Sequence, residues 1–423
     1  MADFFRTRTR LAGVLVAVVT LAWVVPVTEQ AAARPGRESV IVVLADGAGD
    51  PGRVAAEHAR RHGGEVRAIY EHALRGYAAE MPAQSLDAIA RDRRVAYIEA
   101  DRLFSVGGVP TGVDRIEADN NTTADIDGND ERLDVDIAIL DTGIAAHRLL
   151  NVVGGARCTS LVGLLASCRD GNYHDGHGHG THVAGTAAAI DDATADGVVG
   201  VAPGARLWAV KTLDDTGLGF TSQIIKGIDW VTARANVIEV ANMSLGGPGT
   251  SRAMSDAITR STEAGVVYVV AAGNDGADAA GSSPANVERA VTVSAMADFD
   301  GKAGGAWTGA RCRADGDDTF ASFSNYGAVV DLAAPGVCIR STWNNGGYNT
   351  ISGTSMAAPH VAGAAALYVV ANAVPRTSNR WQVVHNGLKS PGWSVPQTDT
   401  CGFTGGKSTE PMLLASTPCE VVR

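Results

Sequence analysis

Positive charge is scarce in this sequence, and the spacings that commonly bind zinc are missing. The 423 residues include 35 Lys and Arg against 46 Asp and Glu, a formal net charge of −11, which argues against nucleic acid as a partner. The six cysteines form no Cys-x-x-Cys pair and no His-Glu-x-x-His motif occurs, so neither common zinc pattern is present. The hydrophobic content of 45% is nonetheless enough for a full core, and the length leaves room for more than one domain.

The N-terminal segment has the composition of an export signal. Arginines at positions 6, 8 and 10 precede an apolar run over residues 11–27, and three alanines at 31–33 supply a cleavage site. A membrane anchor is the alternative, but the run is marginal for spanning a bilayer and Pro26 interrupts it. We therefore expect residues 1–33 to be a signal peptide and the protein to be secreted, extracellular and without stable membrane association.

The cysteines all follow residue 150 and are even in number. Export makes disulfide bonds their natural use. Six cysteines allow 15 connectivities, and we favour pairing in chain order because each neighbouring couple then encloses a modest loop. The six are Cys158, Cys168, Cys312, Cys338, Cys401 and Cys419.

Residues 39–100 have the pattern of a compact unit that precedes the rest. Apolar or alternating runs at 39–44, 66–70, 75–81 and 95–99 predict strands, while residues 51–62 and 85–91 read as helices. The order β-α-β-β-α-β is the ferredoxin-like arrangement. That arrangement hosts many functions, so alone it does not assign one.

Asp141 follows an apolar, β-branched run at residues 135–140 and begins an Asp141-Thr142-Gly143 motif. A carboxylate at the C-terminal end of a buried parallel strand is where α/β folds place their sites. Aspartic proteases share this motif but need a second such carboxylate, and no second Asp-Thr-Gly or Asp-Ser-Gly exists here. A structural Asp at a strand end is the plainer interpretation.

Four histidines fall within nine residues at 174–182. As metal ligands, alternating histidines need an extended geometry and a further ligand. As a catalytic motif, the Gly-rich turn opens a helix over residues 181–190, with His179 in its first turn. We favour the second interpretation.

Ser355 precedes an apolar, Ala-rich stretch at residues 361–373 that is long enough for a buried helix. A hydroxyl at a helix N-terminus faces free N–H groups and the positive end of the dipole, which favour a developing negative charge. An ordinary N-cap Ser is the alternative. The Gly-x-Ser-x-Gly elbow of α/β-hydrolases is absent because position 357 is Ala.

Taken together, these motifs resemble the subtilase family. The chain order Asp141, His179, Ser355 is that of subtilisin. The sequence segments at 137–143, 179–186, 241–248, 271–274 and 352–360 resemble the family's motifs in order and spacing. The resemblance covers residues 39 to about 373. Residues 323–327 and 341–343 look closest to the proteinase K branch.

The resemblance implies a fold and a function. It implies a subtilisin-like α/β catalytic domain with a mostly parallel central sheet and helices on both faces, preceded by a ferredoxin-like α+β propeptide. It also implies a secreted serine endopeptidase of broad specificity, working through an acyl-enzyme and made as a self-processing proenzyme. An esterase or lipase, a metal-dependent hydrolase and a non-catalytic binding protein are the competing functions.

The family's site residues carry over by position. Asp141, His179 and Ser355 correspond to the triad and Asn274 to the oxyanion-hole Asn. Substrate-binding positions, as implied by the resemblance, are Ser244, Leu245 and Gly246 on one edge, Gly217, Leu218 and Gly219 opposite, and Ala271, Ala272 and Gly273 in the primary pocket. The small pocket residues predict a large apolar or aromatic side chain before the scissile bond.

The resemblance also bears on domains, ions and partners. Residues 34–107 correspond to the inhibitory propeptide, with a tail at 102–109 in the active site and maturation near 105–112, and residues 108–423 form the peptidase domain. Asp331 matches a calcium-binding position, so we expect structural Ca²⁺ but no catalytic cofactor. Residues 377–423, where the resemblance fades, are predicted to be a disulfide-pinned extension. Partners are protein and peptide substrates and the chain's own propeptide, and we expect a monomer.

Overall fold

The computed structural model describes residues 37–101, 103–105, 112–159, 167–192, 198–305, 307, 309, 311–407 and 409–416. The predicted signal peptide lies outside these residues. The described chain comprises an N-terminal α+β unit and a larger α/β domain built around one sheet.

The N-terminal unit is a four-stranded antiparallel sheet with two helices, as predicted. Its elements are β1 (Arg37–Leu44), α1 (Pro51–His62), β2 (Glu65–Tyr70), β3 (Gly76–Pro82), α2 (Leu86–Ala90) and β4 (Val95–Ala100). The strand order is β2-β3-β1-β4, with every neighbouring pair antiparallel. Helix α1 begins where Asp50 accepts a hydrogen bond from the Arg53 N–H at 2.7 Å and ends at Gly63, whose φ of 74° allows a left-handed cap.

The larger domain contains the remaining elements. Its strands and the preceding β5 are β5 (Leu103–Ser105), β6 (Asp136–Asp141), β7 (Val152–Arg157), β8 (Arg169–Asp170), β9 (Arg206–Lys211), β10 (Leu218–Phe220), β11 (Val240–Met243), β12 (Gly247–Pro248), β13 (Val267–Ala271), β14 (Ser282–Ser283), β15 (Ala290–Ala297), β16 (Thr319–Phe320), β17 (Leu332–Pro335), β18 (Ile339–Thr342), β19 (Tyr348–Ile351), β20 (Ser394–Val395) and β21 (Met412–Leu413). Its helices are α3 (His179–Ala188), α4 (Thr221–Thr232), α5 (Arg252–Glu263), α6 (Thr354–Ala371) and α7 (Arg380–Leu388).

The central sheet has the order β20-β21-β17-β15-β13-β11-β6-β9-β7-β8, with β16 paired to β15. The strands from β21 to β7 are parallel, whereas β20, β8 and β16 are antiparallel. Every residue of β6, β13 and β15 is buried, which explains why these strands read as continuous apolar runs rather than alternating ones. The predicted mostly parallel sheet is confirmed.

Helices cover both faces of this sheet. Ile137 and Ile139 of β6 pack in one core with α3, α6 and α7, whereas Ala138 and Leu140 pack in another core with α4 and α5. This split follows from the two-residue period of a strand. Helix α6 is long and apolar enough to cross a membrane by length and composition, with mean hydropathy 1.3, but 83% of its residues are buried inside the protein, as in a core helix.

The N-terminal unit packs against the α4 and α5 side of the larger domain. Ile41 and Val43 of β1 share a core with residues of α4 and α5, while Val40 and Val42 face the unit's own helices. A single strand therefore divides its side chains between two hydrophobic cores, and the N-terminal unit buries apolar area by docking.

The chain after residue 376 continues the larger domain. Helix α7 packs against α6, β21 extends the central sheet beside β17, and the Ala415 N–H donates to the Ile116 carbonyl at 2.6 Å. About forty residues make a poor core alone, and Val384, Leu388 and Leu413 of this segment lie in the same core as α6.

Candidate active site

Asp141 and His179 form a buried, hydrogen-bonded pair. Asp141 is the last residue of β6 and His179 the first residue of α3, two residues before the predicted helix start, because Gly178 turns into the helix with φ 107°. The His179 Nδ1 lies 2.8 and 2.9 Å from the two Asp141 carboxylate oxygens. Asp141 is 0% and His179 2% exposed. A side chain at Gly180 would lie 2.2 Å from the Gly143 carbonyl, so this approach requires glycine.

Ser355 lies in the first turn of α6, which packs against α3. Its hydroxyl donates to the Ser244 carbonyl at 3.2 Å, and the Ser244 hydroxyl donates in turn to the Ser355 carbonyl. The Asn242 amide donates to the Ser244 hydroxyl at 2.9 Å. These bonds hold the first turn of α6 beside the end of β11, with Ser355 at the positive end of the helix dipole.

Asn274 is oriented by the residue that precedes Ser355. Its Oδ1 accepts hydrogen bonds from the Thr354 N–H at 2.8 Å and the Thr354 hydroxyl at 3.0 Å. Because the amide oxygen is held on this side, the amide N–H groups point away from Thr354 and can donate to another group. The preceding Gly273 has φ 105°, a conformation that disfavours other residues.

Asn325 holds the segment around Gly273, and our sequence analysis did not assign it. Its amide donates to the Ala272 carbonyl at 2.9 Å, and its oxygen accepts from the Asp275 and Ala277 N–H groups at 3.0 Å. A Cβ at Gly273 would come within 2.4 Å of the Asn325 amide nitrogen. The available signal was its place in the segment at residues 323–327, which the sequence analysis used only for the resemblance to the proteinase K branch.

The tail of the N-terminal unit occupies one of the predicted substrate-binding edges. Strand β5 pairs antiparallel with β10, with Ser105 opposite Leu218 and Phe104 opposite Gly219. Gly217, with φ 81°, turns the chain into β10. Strand β5 also lies within 8 Å, Cα to Cα, of β12, which follows Ser244, Leu245 and Gly246. An extended segment of the same chain therefore pairs with one predicted edge and lies near the strand that follows the other.

The other predicted substrate residues are buried or small. Leu245 is 1% exposed and Ala272 0% exposed, so the Leu245 side chain packs into the core rather than facing a ligand. Gly246 is half-buried, and a Cβ there would meet nothing closer than 3.8 Å. Of the predicted tail at 102–109 and the predicted maturation region at 105–112, residues 102 and 106–111 lie outside the described residues.

Two buried histidines near the site are neutral in ordinary conditions. Burial is the main cause that lowers the pKa of His182 to about 3, and the neighbouring His179 adds to this lowering. Burial also lowers the pKa of His360 to about 4. The His182 Nε2 faces the Ile339 carbonyl at 3.3 Å, an arrangement of a core histidine rather than a metal ligand.

The disulfides agree with chain-order pairing where they are described. Cys158 is bonded to Cys168 and Cys312 to Cys338. Cys401 is also disulfide-bonded, and Cys419 lies outside the described residues.

The contacts of Asp331 do not fit the calcium site predicted there. One carboxylate oxygen lies 2.7 Å from the His385 Nε2 and 3.0 Å from the Lys389 ammonium, and the other accepts from the Thr292 N–H at 3.0 Å. Burial raises the pKa of Asp331, but the hydrogen bond and charge of His385, together with the Thr292 N–H and Lys389, leave the pKa below its usual value. The His385 imidazole and the Lys389 ammonium thus take the place where a metal ion was expected.

Acidic side chains gather elsewhere, in the loop after β15. Within the described chain, Asp298, Asp300 and Asp317 have carboxylate oxygens within 4.8 Å of one another. Burial is the main cause that raises the pKa of Asp298 to about 8, against the lowering effect of Arg115. Asp317 accepts hydrogen bonds from the Phe299 and Trp307 N–H groups, so it also folds this loop.

Comparison with known proteins agrees with this geometry. The subtilase family model matches residues 133–384 and that of peptidase inhibitor I9 matches residues 39–106. An extracellular serine proteinase of Thermus sp. (strain Rt41A) is 40% identical over 82% of this chain and 80% of its own length. Alkaline serine exoprotease A of Vibrio alginolyticus is 39% identical over 73% of this chain, and the match spans 54% of that longer protein.

A solved structure gives the same assignment. The crystal structure of a cold adapted subtilisin-like serine proteinase is 36% identical, covers 69% of this chain and 92% of its own, and superposes with a TM-score of 0.52. The family model covers more than half of the sequence and includes Asp141, His179 and Ser355. The chain therefore belongs to the subtilase family of serine proteases.

Proposed function

We propose that this chain is a secreted, self-processing proenzyme whose mature form is an endopeptidase of broad specificity. The observation that carries the proposal is the buried Asp141–His179 hydrogen bond at 2.8 Å beside a helix whose first turn holds Ser355. Secretion is supported by the export-type N-terminal composition and by the Thermus relative, which is named an extracellular proteinase.

In the proposed mechanism, Ser355 attacks the carbonyl carbon of the scissile peptide bond. His179 takes the hydroxyl proton as general base and later gives it to the leaving amine. Asp141 holds the His179 Nδ1–H in place and stabilises the imidazolium that forms. Water then attacks the acyl-enzyme as His179 accepts its proton, and His179 returns this proton to the Ser355 oxygen as the acyl–oxygen bond breaks and the second product leaves as a carboxylic acid.

The oxyanion of each tetrahedral intermediate needs donors that are already oriented. We assign this role to the Asn274 amide and the Ser355 N–H. The two bonds from Thr354 to the Asn274 oxygen support this assignment, because they aim the amide N–H groups before the substrate arrives. Preorganised donors of this kind contribute roughly 10²–10³-fold to turnover.

The substrate is proposed to bind as an extended strand between Gly217, Leu218 and Gly219 on one side and Ser244, Leu245 and Gly246 on the other. The antiparallel pairing of β5 with β10 supports this, since β5 is a segment of peptide bound in that way. Backbone pairing carries little information about side chains, which favours broad specificity. The small Ala272 and Gly273 leave space for a large apolar or aromatic residue before the scissile bond.

The N-terminal unit is proposed to inhibit the enzyme until it is cut near residues 105–112. Polar contacts anchor it to the helices that lead from the groove. Glu99 accepts a hydrogen bond from the Ala253 N–H at 2.6 Å, at the N-terminus of α5. Asp101 accepts one from the Ser222 N–H at 2.6 Å, at the N-terminus of α4. Negative charge is favoured at both positions. Structural calcium and placement in the proteinase K branch stay predictions.

The central test is self-maturation. The wild-type chain and Ser355→Ala are expressed in an exporting host and the secreted products are weighed by intact mass. We expect wild type to lose the N-terminal unit and Ser355→Ala to remain a precursor. Ser390→Ala, at a half-buried hydroxyl beyond α7, is the matched control and should mature like wild type.

The same proteins separate the alternative functions. A lipase or esterase would hydrolyse esters without cutting casein or internal peptide bonds, and a binding protein would do neither. If wild type and Ser355→Ala were trimmed alike, processing would be the work of another protease and the assigned role of Ser355 would be withdrawn.

A further inference from the structure

Asp175 is a fully buried carboxylate that precedes His179 in the chain and lies beside the segment that follows Asp141. It is 0% exposed and accepts five hydrogen bonds from uncharged groups. The donors are the Thr142 hydroxyl at 2.9 Å, the His177 N–H at 2.9 Å, the Gly178 N–H at 2.8 Å, the Thr181 N–H at 2.9 Å and the Thr181 hydroxyl at 2.6 Å. Burying a carboxylate is costly unless its oxygens accept hydrogen bonds, and these five donors meet that requirement.

The donors come from two different elements. Thr142 directly follows Asp141 at the end of β6, whereas the others belong to the turn and first helical turn that carry His179. Thr142 is bonded to both sides, because its hydroxyl accepts from the Gly180 N–H at 2.9 Å and its N–H donates to the Asp141 carboxylate at 2.6 Å. Asp175 and Thr142 together therefore fix the position of α3 relative to the Asp141 side chain.

Only a carboxylate suits this position. Asn has the same shape, but it has one acceptor oxygen and would turn an NH₂ group toward N–H and O–H donors. The donors number three on one Asp175 oxygen and two on the other, and each oxygen accepts from at least one backbone N–H, so either orientation of an Asn turns its NH₂ group toward an N–H donor that cannot rotate away. The requirement for Asp is thus chemical rather than a matter of space.

We propose that Asp175, acting through the Thr142 hydroxyl, is a positioning residue for the Asp141–His179 pair. This inference rests on the proposed triad. General-base catalysis depends on the angle and distance between the imidazole and its partners, and a misplacement of about 1 Å can cost on the order of 10²-fold in rate. Loss of the Thr142 bridge should therefore reduce turnover and leave substrate affinity largely intact, since the bridge lies behind the pair and not in the peptide groove.

The test compares substitutions that differ in a single hydroxyl. Thr142→Val removes the bridge at almost constant volume, and Thr142→Ser keeps it. Thr181→Val is the matched control, because it also deletes one hydroxyl donor to Asp175 but leaves Thr142 untouched. Each full chain is expressed and matured, active sites are counted with a serine-directed sulfonyl fluoride, and kcat and KM are measured on a chromogenic peptide, with thermal unfolding alongside.

We expect Thr142→Val to lower kcat about 10- to 100-fold with KM within about threefold. Thr142→Ser should recover most of the activity, and Thr181→Val, which leaves the Thr142 bridge in place, should lower the melting temperature and lower kcat clearly less than Thr142→Val does. If Thr142→Val is not secreted, Thr142→Ala removes the same hydroxyl and the same comparison applies.

Two results would overturn the inference. One is wild-type kcat in Thr142→Val or Thr142→Ala; the other is an equal loss of kcat in the Thr142 and Thr181 variants, which would indicate general loosening of the buried network. Either result is distinguishable from failure of the proposed function, because Ser355→Ala would still be inactive if the triad is correct.

Discussion

Asp229 gives the sharpest test of how the N-terminal unit is held. It lies near the end of α4 and is 2% exposed. One of its carboxylate oxygens accepts hydrogen bonds from the N–H groups of Glu71, His72 and Ala73, at 3.2, 2.5 and 3.0 Å. The other oxygen lies 2.9 Å from the Lys226 ammonium, which also donates to a carbonyl of β2. A single side chain of the catalytic domain therefore binds three consecutive backbone N–H groups in the turn between β2 and β3.

The expected effect of Asp229→Ala can be worked from these bonds. Hydrogen bonds to a charged group contribute about 1.5–3 kcal/mol each, but three donors that share one oxygen are not additive. We therefore take about 3–4 kcal/mol for the cluster, and since each 1.4 kcal/mol is tenfold in affinity, the propeptide should bind about 10²–10³-fold more weakly. Asp229→Asn keeps an acceptor oxygen and loses the charge, so its loss should be roughly tenfold.

The assay measures inhibition of mature enzyme by separately produced propeptide. The same propeptide is used throughout, so its own folding free energy cancels between variants. Hydrolysis of a short peptide should be unchanged in Asp229→Ala, because Asp229 contacts the propeptide and not the residues assigned to catalysis. Asp170→Asn is the control, since that carboxylate bonds Trp230 and Arg234 and should leave inhibition unchanged. Inhibition of Asp229→Ala within threefold of wild type would refute the reasoning.

Three further predictions follow from other contacts. Replacing Asn274 with Leu removes the oriented amide and should lower kcat about 10²–10³-fold at nearly constant KM, measured on the titrated mature enzyme; an unchanged kcat would remove Asn274 from the oxyanion site. Asp331→Asn should lower the melting temperature by a few degrees, equally with and without a calcium chelator, because the partners of Asp331 are His385 and Lys389. If a chelator lowers the melting temperature of wild type but not that of the variant, calcium binds at Asp331 and the prediction is wrong. The pKa of His360 is about 4 in the folded protein against an ordinary 6.5, so its imidazole binds a proton more readily when the chain is unfolded. The free energy of unfolding should therefore fall as the pH drops from about 6.5 to 4. His360→Gln should reduce this pH dependence by the equivalent of one proton, measured by unfolding in urea at several pH values.

The elements that the sequence predicted well are those whose signals are local. Helix α1 was predicted with both ends from its composition, and the structure shows that local groups define these ends, since Asp50 caps the helix before Pro51 and Gly63 ends it. Strand β6 was recognisable from its β-branched run, since a strand buried on both faces carries no polar residue in its interior. The start of α3 was misplaced by two residues, because the glycines before it obscure where the helical conformation begins.

The candidate site divides in a similar way. The order of Asp141, His179 and Ser355 and the motifs around them were visible in the sequence. The structure brings Asp141 and His179 into hydrogen-bond contact. The supporting residues were not visible, because Asp175, Thr142 and Asn325 look like ordinary loop and turn residues until their partners are known.

By itself, the sequence determined the composition of the buried strands, the apolar helix whose first turn holds Ser355, and the separate β-α-β-β-α-β unit ahead of them. Tertiary structure alone decided which charges meet: Asp331 was matched to a metal position by its neighbours in the chain, yet its partners His385 and Lys389 lie 54 and 58 residues away. The physical reason is that periodicity and capping act over a few residues, whereas the environment of a buried carboxylate is set by whichever distant groups packing brings within about 3 Å.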